Sequence, residues 1–262
     1  MTIKFVICGL EHSGTTLISD IFRQTNNVDS GFEIGVLLGK SPRDFPQIQP
    51  FYKHMVSGWQ IESDTLKKIC DTDSFSNFYA QLKLNSKAIS PKVDCIFDKT
   101  PRYFLDVYKN YEKVKVPFIC MYKDPRSVVY SDYKRSGKPE DFISWYENYK
   151  TPKIGYLKDV YTNSYIKWKE RESQSFNNTK DIMCVSLENV CLNTRETMEK
   201  IFNHVGYEFD IKYLMLENLK YENTRQPQIS SRIPFEYLNG FNKEQNALIE
   251  QDFALLEDWF YA

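Results

Sequence analysis

Four short apolar runs punctuate the chain: Ile3-Lys4-Phe5-Val6-Ile7-Cys8-Gly9, Val93-Asp94-Cys95-Ile96-Phe97, Val116 to Tyr122, and Asp181 to Leu187. Runs of this length, rich in Val, Ile and Phe and bounded by polar turns, fit strands buried on both faces. Each is followed by a polar turn and then by apolar residues at helical spacing. After the first run, Leu17, Ile18, Ile21 and Phe22 recur in this way; after the third, Pro125 offers a first-turn proline ahead of Val128 and Val129. The repeated order of strand, turn and helix predicts the α/β class, a parallel sheet flanked by helices. In such sheets ligands bind beyond the carboxyl ends of the strands, so the turns after the strands are where chemistry is expected.

Helical periodicity also runs through 75–86, 103–112, 139–150, 159–173, 193–205 and 244–260, the last with Leu248, Phe253, Leu255, Leu256 and Trp259 on its apolar stripe. Two stretches read as long loops: 39–62, with Pro42, Pro46 and Pro50, and 221–241, with Pro227, Pro234 and the pair Ser230-Ser231. Aromatic residues of the first loop (Phe45, Phe51, Tyr52, Trp59) are candidates for stacking on a sugar ring. The Tyr and Lys residues of 146–169 read as solvated helix faces. With no internal repeat and no low-complexity linker, residues 1–262 are expected to form one domain.

Composition narrows the function classes. Hydrophobic residues at 42% and aromatic residues at 15% are too many for a disordered chain. Lys and Arg number 34 against 35 Asp and Glu, and this near-neutral balance argues against nucleic acid as a partner while leaving room for a local basic pocket. No apolar run approaches the roughly 18 residues of a membrane span. The six cysteines show no CxxC pairing, and Cys8, Cys95, Cys120 and Cys184 lie inside strand-type runs, which predicts reduced thiols, no metal site and a cytoplasmic protein.

The first turn, Gly9-Leu10-Glu11-His12-Ser13-Gly14-Thr15-Thr16, leaves a strand and opens a helix. In that context successive backbone N–H groups and the positive helix end converge on an anion. The spacing fits G-x-x-x-x-G-K-[ST] except that Thr15 stands where a triphosphate-binding loop has lysine. That lysine spans the β- and γ-phosphates, so its replacement points to a ligand carrying less charge beyond its first phosphorus. The third turn, Lys123-Asp124-Pro125-Arg126-Ser127-Val128-Val129-Tyr130-Ser131, places two cations at a strand end and a serine on the helix beyond, a second anion site.

Ser13-Gly14-Thr15-Thr16-Leu17 after an N-terminal strand resembles the 5′-phosphosulfate loop of the sulfotransferase superfamily that uses 3′-phosphoadenosine 5′-phosphosulfate (PAPS), and the chain is most similar to its bacterial, carbohydrate and tyrosylprotein branches. The resemblance implies a three-layer fold like that of the P-loop nucleotide kinases. It implies donor contacts from His12, Ser13, Gly14, Thr15 and Thr16, with His12 standing where the family has Lys or Arg and assigned to charge neutralisation at the bridging oxygen. Lys123 and Ser131, eight positions apart, are similar to the family's 3′-phosphate motif, with Lys in place of Arg and with Arg126 as a supplementary cation. The stretch Cys184 to Val190 resembles the region beside the nucleotide, retaining Glu188 and carrying Ser186 in place of Tyr, and Arg232 in the late loop is a further donor-phosphate contact.

Sulfuryl transfer needs in-line approach, charge stabilisation and a base for the acceptor hydroxyl, and demands no metal. The segment Phe97-Asp98-Lys99-Thr100-Pro101-Arg102-Tyr103 is similar to the lysine-bearing strand ends of the family, which makes Lys99 the candidate for stabilising the sulfuryl oxygens. Pro101 occupies the place of the histidine base of the small-molecule branch, so the base is sought in Gly31-Phe32-Glu33-Ile34-Gly35, where Glu33 sits between two apolar neighbours that would partly bury it. Asp98 is the substitute, and pairing of Glu33 with Lys40 or Arg43 is the structural alternative. His54 and His204, each alone, read as surface or core. The expected activity is transfer of sulfate from PAPS to a hydroxyl of a carbohydrate or other small polar metabolite. Two alternatives compete: a nucleotide or metabolite kinase on the same kind of sheet, which Thr15 opposes, and a catalytically silent nucleotide-binding scaffold, motivated by His12 and Lys123.

Overall fold

The computed structural model describes residues 2–166, 180–217, 219–220 and 229–256. Its five-stranded sheet contains β1 (Ile3–Gly9), β2 (Val28–Asp29), β3 (Cys95–Lys99), β4 (Phe118–Tyr122) and β5 (Ile182–Ser186). All pairings are parallel, in the order β2-β3-β1-β4-β5. The four predicted runs are present; β2 is additional, and its two residues carry no periodicity that a sequence pattern could reveal. The chain fills one side of β1 and then crosses to the other, which makes the carboxyl end of β1 a topological switch point.

Alternation along the strands feeds two cores. Val6, Cys8, Ile96, Phe118 and Cys120 face the layer containing α3 (Ser63–Cys70), α4 (Phe75–Asn85), α5 (Val107–Val114), α6 (Pro125–Arg135) and α7 (Phe142–Val160). Phe5, Ile7, Phe97, Ile119 and Met121 face α1 (Thr15–Phe22) and the helix Thr194–His204. Phe5 stacks on Phe97 with centroids 5.0 Å apart, and Phe22 stacks on Phe202 at 4.3 Å, so helix and strand are keyed by rings as well as by area. The sulfurs of Cys8 and Cys120, opposite one another in the register, lie 3.4 Å apart as free thiols.

Several expectations change. Residues 39–62 are not a long loop: they hold a 3-10 turn over Pro42–Gln47 and the helix α2 (Phe51–Gly58). Pro42 occupies the first position of that turn and Pro50 precedes α2, so these prolines start elements instead of breaking them. Phe45, Phe51 and Trp59 are therefore core side chains, with Phe45 and Trp59 fully buried, and do not present faces to a sugar. The tyrosines expected on a solvated face over 146–169 are partly core instead: Tyr146 and Tyr161 are buried and Tyr149 stacks on Trp145 at 4.7 Å, while 167–169 lie outside the described residues. The helix predicted at 103–112 begins as a 3-10 turn, Pro101–Asp106, and becomes α-helical from Val107.

The 139–150 pattern belongs to α7, which runs on through Pro152 to Val160 and then to a π-turn over Tyr161–Ile166. Residues 167–173 of the predicted 159–173 helix lie outside the described residues, as do 221–228 and Trp259. Within 229–241, a 3-10 turn (Ile233–Phe235) and a helix (Glu236–Gly240) replace the expected loop; among the described residues the last α-helix spans Lys243–Asp252 and is followed by a 3-10 turn over Ala254–Leu256. Among the described residues no helix is long and apolar enough to cross a membrane.

Candidate active site

The site is built around the turn that leaves β1. Gly9 passes so close to β4 that a Cβ there would lie 2.2 Å from the Met121 carbonyl oxygen, the same oxygen that accepts the Leu10 N–H at 2.9 Å. His12 (φ +63°) and Gly14 (φ +89°) both adopt left-handed backbone, curling the loop into the first turn of α1, for which Gly14 is the N-cap. The Ser13 hydroxyl donates to the carbonyls of Leu10 (2.6 Å) and Met121 (3.1 Å) and is fully buried, so its side chain ties the loop to β4. Thr15 and Thr16 open α1, Thr15 buried and Thr16 half-buried. His12 is exposed, and its pKa is lowered by partial desolvation and by the positive charges of Arg135 and Lys123.

On one side of this loop stands the end of β3. Lys99 pairs with Ile7 of β1 in the sheet register, and its Nζ donates to Glu33 Oε1 at 2.8 Å. The two side chains are 6% and 24% exposed, so Lys99 is enclosed while the Glu33 carboxylate retains an opening to solvent. The ammonium also lies 5.4 Å from the centre of the Phe32 ring. Neither Lys40 nor Arg43 takes Glu33: Arg43 is engaged by Asp71 and Asp73. The Glu33 segment is fixed from several sides. Trp59 Nε1 donates to the Phe32 carbonyl at 2.7 Å, and the Thr100 hydroxyl accepts the N–H groups of Ile34 and Gly35, each at 3.1 Å.

Asp98, the substitute candidate, is enclosed by its own hydrogen-bond partners. Fully buried, it accepts hydroxyl protons from Tyr79 (2.7 Å), Tyr103 (2.8 Å) and Thr100 (2.7 Å), and burial pushes its carboxyl up to about 6 against the pull of these hydrogen bonds. The other fastening was invisible in the sequence. Arg23, 4% exposed at the end of α1, binds Asp20 at 2.6 Å and donates to the carbonyls of Ser30 (3.2 Å) and Gly31 (2.9 Å), just ahead of Glu33.

On the other side of the loop stands the end of β4. Lys123 Nζ donates to Ser131 Oγ at 2.8 Å and to the Ser127 carbonyl at 3.2 Å. Because Ser131 Oγ gives its own proton to the Ser127 carbonyl at 2.8 Å, it acts as an acceptor toward the lysine. Burial lowers the Lys123 pKa to about 8 in spite of the nearby Glu188. Glu188 opens the helix Leu187–Leu192, accepts the Asp124 N–H at 3.1 Å, and is itself raised to about 7, first by burial.

Arg126 points elsewhere. Its guanidinium grips Asp124 (Nη2 to Oδ2 2.6 Å) and Glu250 and lies over the Tyr237 ring at 4.8 Å, so its charge is compensated within the fold. Arg232 is exposed just before the turn Ile233–Phe235. His54 is exposed with its ring edge-on to Phe32 at 5.9 Å, whereas His204 is tied to the Phe118 carbonyl at 3.2 Å. The structure thus brings together the Gly9–Thr16 loop, the Lys99 and Glu33 pair, and the Lys123 and Ser131 pair at one end of the sheet.

Known proteins show the same arrangement of chain. The structure is similar to the sulfotransferase domain of the olefin synthase of Synechococcus PCC 7002, with a TM-score of 0.65 and 14% identity over 99% of this chain and 94% of that one. It is also similar to a sulfotransferase domain of the curacin biosynthetic pathway, with a TM-score of 0.62 and 12% identity over 97% and 98% of the two chains. These likenesses concern the fold. No curated protein matches the chain by sequence. The model of the sulfotransferase family, however, matches residues 5–211, a span that contains the β1 turn, Glu33, Lys99 and the Lys123 and Ser131 pair, and on that match this chain belongs to the sulfotransferase family.

Proposed function

We propose that this protein transfers the sulfuryl group of PAPS to a hydroxyl of a carbohydrate or another small polar metabolite, with Lys99 and Glu33 as its catalytic pair. The observation that carries the reading is the 2.8 Å contact between Lys99 Nζ and Glu33 Oε1 on one side of the β1 turn, with the buried Lys123 and its partner Ser131 on the other. A donor with phosphates on the 3′ and 5′ oxygens of one ribose fits two cationic stations flanking one anion-binding loop. The donor supplies an activated sulfur bonded to a phosphate leaving group.

The chain's own groups do the rest. Backbone N–H groups of Gly14 to Thr16 at the start of α1 hold the 5′-phosphate, the Ser13 N–H being taken by the Leu10 carbonyl, with His12 at the rim; binding of that anion favours the protonated imidazole that desolvation, Arg135 and Lys123 otherwise oppose. Lys123 holds the 3′-phosphate, while Arg232 approaches from the late turn and Arg126 shapes the β4 turn by gripping Asp124. An ammonium carries three N–H donors; with one on Glu33, Lys99 has others to offer to sulfuryl oxygens, where charge grows in the transition state. Glu33, partly open to solvent, takes the acceptor hydroxyl proton as the new S–O bond forms and the bond to the phosphate oxygen breaks.

The test is calorimetric titration with the desulfated product, 3′-phosphoadenosine 5′-phosphate, beside ATP with magnesium and adenosine 5′-monophosphate. Tight binding that requires the 3′-phosphate and weakens in Lys123→Ala supports the donor assignment, and acceptors are then screened by PAPS-dependent product formation. Equal or tighter binding of ATP would overturn it in favour of a kinase.

A further inference from the structure

The Asp98 cluster stores a direction as well as a set of contacts. Thr100 Oγ1 receives two backbone N–H groups, those of Ile34 and Gly35. Both of its lone pairs are thereby used, so its single proton goes to Asp98 Oδ1 at 2.7 Å. Tyr103 Oη receives the Leu37 N–H at 3.3 Å and sends its proton to Asp98 Oδ2 at 2.8 Å. Tyr79 donates to the same oxygen from α4 at 2.7 Å. Burial beside Asp98 pushes both phenols well up, so they remain donors. Three hydroxyls donating to Asp98 favour its carboxylate form against the burial that raises its pKa to about 6. Reversal of the Thr100 or the Tyr103 hydroxyl would turn its proton toward an N–H.

Resting on the reading of Glu33 as the base, we infer that Asp98 is a positioning residue for the reaction: through the Thr100 hydroxyl it fixes the peptide groups that follow Glu33 and so aims that carboxylate at Lys99 and the acceptor. Asp98 and Lys99 are adjacent on β3, so one strand end carries the sulfuryl-binding cation on its own side chain and places the base through its neighbours. Gly35 completes the device. Its φ of +79° and the Phe51 ring, 2.4 Å from where a Cβ would be, leave the turn after Glu33 one close-packed path.

The experiment uses the full chain and the variants Thr100→Val, Thr100→Ser and Asp98→Asn. Amide hydrogen exchange over residues 31–38, affinity for 3′-phosphoadenosine 5′-phosphate, and sulfate release from saturating PAPS with water as acceptor are read on each. Thr100→Val and Asp98→Asn should speed exchange at Ile34 and Gly35 about tenfold or more. They should slow sulfate release by about 10- to 100-fold, the penalty of a misplaced group, with affinity held within about threefold. Thr100→Ser, which keeps the hydroxyl, should restore both. Unchanged exchange in Thr100→Val overturns the inference, whether or not Asp98→Asn folds; so does faster exchange with undiminished release. Absence of nucleotide binding by the unaltered protein would instead remove the sulfotransferase reading, while the exchange data still judge the network.

Discussion

Lys99 Nζ lies 2.8 Å from Glu33 Oε1, so the cation assigned to the sulfuryl group and the carboxylate assigned to the acceptor compensate one another's charge across the mouth of the site. The pair joins the end of β3 to a segment 66 residues earlier, and removing Glu33 leaves the Lys99 ammonium enclosed without its carboxylate, whereas removing Lys99 leaves Glu33 with its opening to solvent. Glu33→Ala should lower PAPS-dependent turnover by about 10²- to 10⁴-fold, the range for loss of a general base, and leave affinity for 3′-phosphoadenosine 5′-phosphate near its original value. Full turnover in that variant would dismiss Glu33 as the base. Lys99→Ala should cost about 10²- to 10³-fold at saturating donor, as for loss of one charge-stabilising donor.

Donor affinity should depend on pH through Lys123. Its pKa is lowered to about 8 by burial, and the groups around it include Glu188 and Asp132, which raise it, and Arg135 and Lys134, which lower it. Phosphate requires the ammonium form, so affinity is full below pH 8 and falls as pH rises through it, by up to about tenfold per unit. Lys123→Arg keeps its charge throughout and should abolish the decline in a calorimetric pH series. A decline that survives in Lys123→Arg would assign the titration to another group.

Two glycines of the β1 turn should differ in their tolerance of a methyl group. At Gly14 a Cβ would meet the flexible end of Leu187 at 2.8 Å, on left-handed backbone, and Gly14→Ala should cost about 1–2 kcal/mol in denaturant unfolding. At Gly9 the obstacle is the Met121 carbonyl, which cannot swing aside without releasing the Leu10 N–H, so Gly9→Ala should be the more destabilising of the two. Equal losses would contradict the close approach of β1 to β4.

Arg23 should be needed for stability without touching any ligand. Replacement by Met removes a buried cation from Asp20 and from the Ser30 and Gly31 carbonyls and should cost about 3–5 kcal/mol, the scale for breaking a buried pair. Lys at this position keeps the charge but lacks the planar fork that reaches several acceptors at once, so Arg23→Lys should recover only part of the loss.

The β1 turn and the Lys123 turn could be read in the sequence because both are local. In each, a strand, a short turn and a helix start follow one another within about a dozen residues, and the groups that mark the turn, glycines in the first and Lys123 in the second, are neighbours in the chain. Arg126 shows the limit of such reading. Its position in the motif is as predicted, yet its guanidinium is taken by Asp124 and by Glu250, a partner 124 residues away that no local pattern announces. The prolines of 39–62 misled for a related reason: proline opens helical turns as well as interrupting them, and only the packing of Phe45, Phe51 and Trp59 into the core selects between the two.

What the sequence determined by itself was the alternation of buried strands and amphipathic helices, and with it the parallel sheet, since periodicity and turn residues act over a few positions and need no distant partner. The pairing of Glu33 with Lys99, the burial of Asp98 among Tyr79, Thr100 and Tyr103, and the grip of Arg23 on Gly31 were decided only by the tertiary structure. These contacts join positions distant in the chain or depend on which way a buried hydroxyl points. Their energies come from desolvation and directed hydrogen bonds, which exist only once the sheet has brought the groups together and excluded water from around them.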